Sequence, residues 1–186
     1  MPVILSQKSD YPIIKDELDC VLIEEFEKKY DENISFIAHE ALRQNKNIIL
    51  LTGPSASGKT TTAHKIAHEI TKAFDSNFKD GYEHCKIVSL DNFFLSAKDA
   101  PKLANGEQDF ESVHALDIKR INEFLNGLLN KHKAMIPKFD FKKGLMIPDA
   151  KEIDVGENGF VILEGIHAHN PLIYGKVPGE KVLKVY

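Results

Sequence analysis

The 186-residue chain suits one ordinary domain, and 42% hydrophobic with 28% charged residues is the balance of a globular protein. A formal net charge of −4 supplies no broad cationic field, and no run of five basic residues occurs, so nucleic acid is not an expected partner. The longest apolar runs fall far short of the ~20 residues that cross a bilayer, residues 1–11 carry no signal-peptide pattern, and Cys20 and Cys85 fit neither a disulfide framework nor a zinc site; no membrane partner and a reducing cytoplasm are expected.

In chain order, Leu18, Val21, Leu22 and Phe26 recur with helical spacing between Asp16 and Tyr30, and Ile34, Ile37, Ala38, Ala41 and Leu42 do so again, which predicts two helices before the first strand. Asn47–Thr52 is a short apolar run containing two isoleucines, the pattern of a strand covered on both faces. After a glycine-containing loop, Ala63, Ile66, Ala67, Ile70 and Phe74 line one helix face, and the polar stretch Asp75–Glu83 ends that helix. Lys86–Leu90 reads as a second buried strand, and the polar segment Ser96–Asp109 as a mobile loop. Ile118, Ile121, Leu125, Leu128 and Leu129 mark another amphipathic helix with Asp117 as its N-cap. Ile136–Ile147 contains a Lys143-Gly144 turn signal and reads as a hairpin, and Phe160–Leu163 and Val182–Tyr186 are the last strands. Strands alternate with helices, so the expected fold is α/β, with a mostly parallel sheet and helices on both faces.

Gly53-Pro54-Ser55-Ala56-Ser57-Gly58-Lys59-Thr60 fits G-x-x-x-x-G-K-[ST] and lies between a predicted strand and a predicted helix, as a P-loop requires. The glycines let the backbone curl so that successive N–H groups face one anion, and the helix that follows through Thr61 adds its positive end. Polyphosphate is the ligand this geometry suits, with Lys59 reaching the β- and γ-phosphates as a point charge and the Thr60 hydroxyl holding Mg²⁺. The prediction is an ATP- and Mg²⁺-binding P-loop nucleoside triphosphate hydrolase fold. Val88-Ser89-Leu90-Asp91-Asn92-Phe93-Phe94 then puts Asp91 at the carboxyl end of a strand, where parallel sheets gather their ligands. No N-K-x-D tetrad and no D-x-x-G switch follows a strand, which speaks against a GTPase-like module. His64 and His68, and His167 and His169, form tempting pairs, but neither pair has a third ligand at metal spacing.

These residues resemble the uridine kinase and phosphoribulokinase family, whose second strand ends in a similar Asp followed by aromatics. Asp109-Phe110-Glu111-Ser112 with Ala115-Leu116-Asp117, Ile136-Pro137-Lys138-Phe139-Asp140-Phe141 and Val161-Ile162-Leu163-Glu164-Gly165-Ile166 resemble three further segments of it, in the same order. The Glu164-Gly165-Ile166-His167 sequence, taken with Ser89-Leu90-Asp91, is similar to a bacterial uridine kinase-like branch. The resemblance implies an ATP-dependent phosphotransferase acting on a hydroxyl of a nucleoside, uridine- or cytidine-like, or of a related small molecule. It assigns catalysis to Lys59, Asp91 and Glu164: Asp91 as the base that takes or orients the acceptor proton, and Glu164, beside Thr60, for a Mg²⁺-bound water or a substrate hydroxyl. It assigns acceptor contacts to Phe94, Phe110, Glu111, Phe139 and His167, with core packing as the other reading of Phe110 and Phe139. Glu111 replaces the family's usual Asp, and Phe139 stands where uridine-cytidine kinases commonly carry a base-contacting Tyr, so uridine specificity stays open.

The resemblance further divides the chain into a helical extension at 1–46 and a P-loop kinase core at 47–186. The family continues into an Arg-rich lid, a fifth strand and a last helix, which are not in this sequence, so the C-terminal part of the core is expected to be missing. Without lid arginines to neutralise the transferring group, the chain is expected to bind ATP but transfer phosphate poorly. Homo-oligomerisation stays open. So do a nucleotide-binding regulatory or catalytically silent P-loop domain, and a kinase for a sugar phosphate or pantothenate.

Overall fold

A computed structural model describes residues 20–74 and 84–186, and the side chains of residues 20 and 21 lie outside that description. The helix-ending stretch Asp75–Glu83, and Asp16 and Leu18 of the first predicted helix, therefore fall outside the described residues.

One helix, α1 (Cys20–Arg43), replaces the two predicted before the first strand. Asp31, Glu32 and Asn33 join the two periodic stretches, and none is a glycine or proline that would break the ladder, so the helix runs through. Strand β1 (Ile48–Leu51) leads into the phosphate-cradle loop, and α2 (Lys59–Phe74) begins inside the motif at its lysine. Then come β2 (Cys85–Ser89), a single 3₁₀ turn at Leu90–Phe93, and α3 (Ile118–Lys131). Asp117 caps α3 as predicted, its carboxylate accepting from the Arg120 N–H at 2.9 Å.

Strands β3 (Lys133–Asp140) and β4 (Leu145–Asp154) form the predicted hairpin, longer than its apolar centre suggested. Strand β5 (Phe160–Glu164), the short helix α4 (Pro171–Tyr174) and β6 (Val182–Val185) complete the chain. The segment 96–109 is tied by its own backbone: Asp99 and Ala100 N–H groups donate to the Ser96 carbonyl, Leu103 to Glu107 and Asp109 to Pro101.

Four strands pair in the order β2-β5-β1-β6, every pair parallel, while β3 and β4 make a separate two-stranded sheet. Alternation along the strands sorts the core into two layers. Ile49, Leu51, Phe160 and Ile162 pack against Ile34, Ile37, Ala38 and Ala41 of α1 and Ala63, Ile66, Ala67 and Ile70 of α2. Ile48, Leu50, Val161 and Leu163 face the other way, toward Ile121, Phe124, Leu125 and Leu128 of α3. Helices thus cover both faces, which is why β1 and β5 are buried at every position.

Candidate active site

The sheet register sets out the site. Leu51, Glu164 and Ser89 are paired neighbours in one row across β1, β5 and β2, at the carboxyl ends of the three strands. The cradle loop starts two residues after Leu51 and Asp91 stands two residues after Ser89. With strands about 4.8 Å apart, the loop, Glu164 and Asp91 share one edge of the sheet, with Glu164 between the other two. This edge is the crevice where open parallel sheets place ligands.

Further bonds fix that edge. The Gly165 N–H donates to the Leu51 carbonyl at 3.1 Å, the Thr52 hydroxyl to the Ile166 carbonyl at 2.9 Å, and the Thr52 N–H to the Val185 carbonyl at 3.0 Å. His169 Nε2 lies 3.0 Å from the Leu50 carbonyl, and burial, the largest influence, lowers its pKa toward the neutral ring. The loop after β5 is thereby stitched to the strand that carries the cradle.

The cradle itself is curled. Ala56 (φ 58°) and Gly58 (φ 80°) adopt left-handed conformations, which turn the backbone of Gly53, Pro54, Ser55, Ala56, Ser57 and Gly58 into a concave loop. Pro54, Ser55, Ala56, Ser57 and Gly58 are exposed, as are Thr60 and Thr61 in the first turn of α2. Lys59 folds back so that its Nζ donates to the Pro54 carbonyl at 2.6 Å, within the loop it is expected to serve.

Asp91 sits in the 3₁₀ turn with its N–H donating to Ser89 Oγ at 3.3 Å, an N-cap that explains why β2 stops there. Its side chain is open to solvent, yet it stands in a protein-walled crevice. Burial pushes its carboxyl above the usual range, and the opposing pull of the Lys59 charge places that ammonium in its neighbourhood. A carboxyl tuned upward beside an ammonium is a group able to take up a proton.

Glu164 is 8% exposed, and among the described residues no hydrogen bond or ion pair engages its carboxylate. With the Thr60 hydroxyl it offers hard oxygen donors, the chemistry that suits Mg²⁺ held partly by substrate phosphates. Among the described residues no group of three His, Cys, Asp or Glu could hold a metal by itself.

Beyond Asp91, the rings of Phe94, Phe110, Phe139 and Phe141 gather in one cluster. Ring centroids lie 4.9 Å apart for Phe94–Phe110 and Phe139–Phe141, 5.6 Å for Phe94–Phe139, and 6.1 Å for Phe110–Phe139. Phe94 and Phe139 are core, at 6% and 5% exposure, whereas Phe141 presents 61% of its surface. Phe141 lies in the hairpin turn just past the end of β3, where strand alternation does not fix its direction. Glu111 is exposed, its N–H donating to Asp109 Oδ1 at 3.1 Å. His167 is half-buried, and its Nε2 is shut from solvent with no hydrogen-bond partner among the described residues.

Residues 48–172 match the family model described as the Phosphoribulokinase / Uridine kinase family. Uridine kinase of Ureaplasma parvum serovar 3 is 26% identical over 121 residues, 65% of this chain and 53% of that protein. Uridine kinase of Schizosaccharomyces pombe is 32% identical over 120 residues, 63% of this chain and 24% of that protein. The chain thus spans about half the length of the first of these curated relatives, and less of the second. A solved Bacillus stearothermophilus structure described as a possible uridine kinase superposes with a TM-score of 0.59 at 15% identity, covering 76% of this chain and 74% of that one, which shows a shared fold.

Proposed function

The chain belongs to the phosphoribulokinase and uridine kinase family, and from that premise we propose that it transfers the γ-phosphoryl group of ATP to a hydroxyl of a nucleoside-like small molecule. The observation that carries this reading is the row Leu51–Glu164–Ser89, which gathers the cradle loop, Glu164 and Asp91 on one edge of the sheet.

In this reading the loop amides from Gly53 to Thr60 and the ammonium of Lys59 hold the β- and γ-phosphates, Lys59 exchanging its Pro54 carbonyl partner for phosphate oxygens. Thr60 and Glu164 would hold Mg²⁺, whose charge neutralises phosphate oxygens when it is bound. Asp91 accepts the proton of the acceptor hydroxyl as that oxygen bonds to the γ-phosphorus. The bond from the γ-phosphorus to the bridging oxygen breaks, and ADP leaves with that electron pair. Glu111 and His167 supply polar contacts to the acceptor, and Phe94, Phe110, Phe139 and Phe141 supply its apolar wall. Residues 47–186 carry this chemistry and residues 1–46, which include α1 (Cys20–Arg43), are an extension added to it.

The wall lacks the hydroxyl that a Tyr at 139 would bring, so the acceptor class, not uridine itself, is what the residues support. A coupled ADP-release assay over uridine, cytidine, ribulose 5-phosphate and pantothenate, with the ATPase background subtracted, tests it. Nucleoside-dependent ADP formation is expected, at the low rate that the absence of lid arginines implies. ADP formation that no acceptor raises refutes the transferase reading, and a response to ribulose 5-phosphate or pantothenate alone refutes the nucleoside class.

A further inference from the structure

Helix α1 lies along α2, the helix that leaves the cradle, and Ile34, Ile37, Ala38 and Ala41 meet Ala63, Ile66, Ala67 and Ile70 in one buried cluster. Apolar packing of this kind is strong but non-directional, so it leaves the axial setting of one helix on the other loosely defined. A directional bond crosses the same seam. The hydroxyls of Tyr30 and Thr62 share a hydrogen bond of 2.7 Å in a partly buried position. Thr62 is 6% exposed and stands in the first turn of α2, two residues past Thr60. Its own N–H is held by the Gly58 carbonyl at 2.9 Å, so the residue that Tyr30 grips is bonded directly to the cradle. One turn on, Lys65 Nζ reaches Asp31 at 2.6 Å and lies 4.6 Å from the centre of the Tyr30 ring, an exposed pairing that water screens.

We propose that Tyr30 is a positioning residue for the nucleotide: its hydroxyl bond to Thr62 fixes the first turn of α2 where the cradle amides and Lys59 converge. The inference rests on the reading of Gly53–Thr60 as a nucleotide site. It makes α1 part of the nucleotide-binding machinery, although Tyr30 itself touches no phosphate.

Calorimetric titration of MgATP at about 25 °C into the whole chain and into Tyr30→Phe, Thr62→Val and the double variant tests it, with a melting curve for each. Phenylalanine keeps the ring, its packing and its contact with Lys65, and valine keeps the shape of threonine. Each single change is expected to weaken ATP binding about three- to tenfold, the worth of one partly buried hydrogen bond. The double variant is expected to lose no more than either single, because both changes remove the same bond. A lowered melting temperature with unchanged ATP affinity in the singles identifies a merely structural bond and overturns the proposal, as does additive loss in the double variant. Failure of one variant to fold leaves the other single as the test. If the unsubstituted chain takes up no ATP, the nucleotide reading itself fails and this inference falls with it; if it binds ATP and the variants bind equally well, the inference alone falls.

Discussion

A methyl group added at Gly165 tests how the two carboxylates are held. Built on the backbone, it would lie 2.9 Å from Leu90 Cβ and 3.0 Å from Leu90 Cδ1, closer than carbon atoms tolerate. Leu90 is 2% exposed and cannot swing into solvent, so either Leu90 or the end of β5 must move. Overpacking of this kind costs about 1–3 kcal/mol. For a chain of this size each kcal/mol shifts the melting temperature by about 2–4 °C, so Gly165→Ala is expected to lower Tm by about 2–12 °C. The functional loss should be larger. Leu90 precedes Asp91 and Gly165 follows Glu164, so the displacement reaches both groups, and about 1 Å of misplacement in a reacting site costs on the order of 100-fold in rate. Differential scanning calorimetry beside the ADP-release assay reads both effects. An unchanged melting temperature together with unchanged turnover would refute the argument that Gly165 sets the spacing between β5 and the Asp91 turn.

Two further substitutions probe the same edge. The Asp91 carboxyl is held above its usual range by burial, so the folded chain binds that proton more tightly than the unfolded one. The group's contribution is full below the unfolded pKa and is lost as pH rises through the folded value. Asp91→Asn removes that loss, and thermal melts from about pH 3 to about pH 8 should show the variant more stable than the parent at neutral pH and level with it in acid; a variant less stable than the parent at neutral pH contradicts the sign. Phe139→Tyr would place a hydroxyl among Phe94, Phe110 and Phe141 at a site 5% exposed. Left without a partner, it is expected to cost about 1–3 kcal/mol, seen as a Tm lower by several degrees, and a Tm held at the parent value would show that the wall has a polar opening.

Much of this arrangement could be read from the sequence because the informative signals are local. The eight residues from Gly53 to Thr60 carry their own turn chemistry. The runs at 48–51 and 160–163 have no polar position, which marks strands buried on both faces. The N-cap Asp117 and the Lys143-Gly144 turn fell where expected for the same reason. Long-range geometry was harder. That Glu164 lies between Leu51 and Ser89 depends on strand order, with β5 inserting between β1 and β2 after the 70 residues 90–159. The split of α1 into two predicted helices came from a gap in apolar periodicity at Asp31–Asn33, where Asp31 and Glu32 are exposed and the ladder runs unbroken. The Tyr30–Thr62 bond has no sequence signature, since a tyrosine on a helix face reads equally well as packing.

The central claim is that the curled loop holds the terminal phosphates of ATP and that the Lys59 charge is part of that grip. Isothermal titration of MgATP into the chain and into its Lys59→Ala variant, with circular dichroism to confirm that both are folded, tests this directly. Saturable binding to the parent, weakened by at least about tenfold in the variant, is the predicted result; equal affinity in two folded proteins would contradict the account at its base.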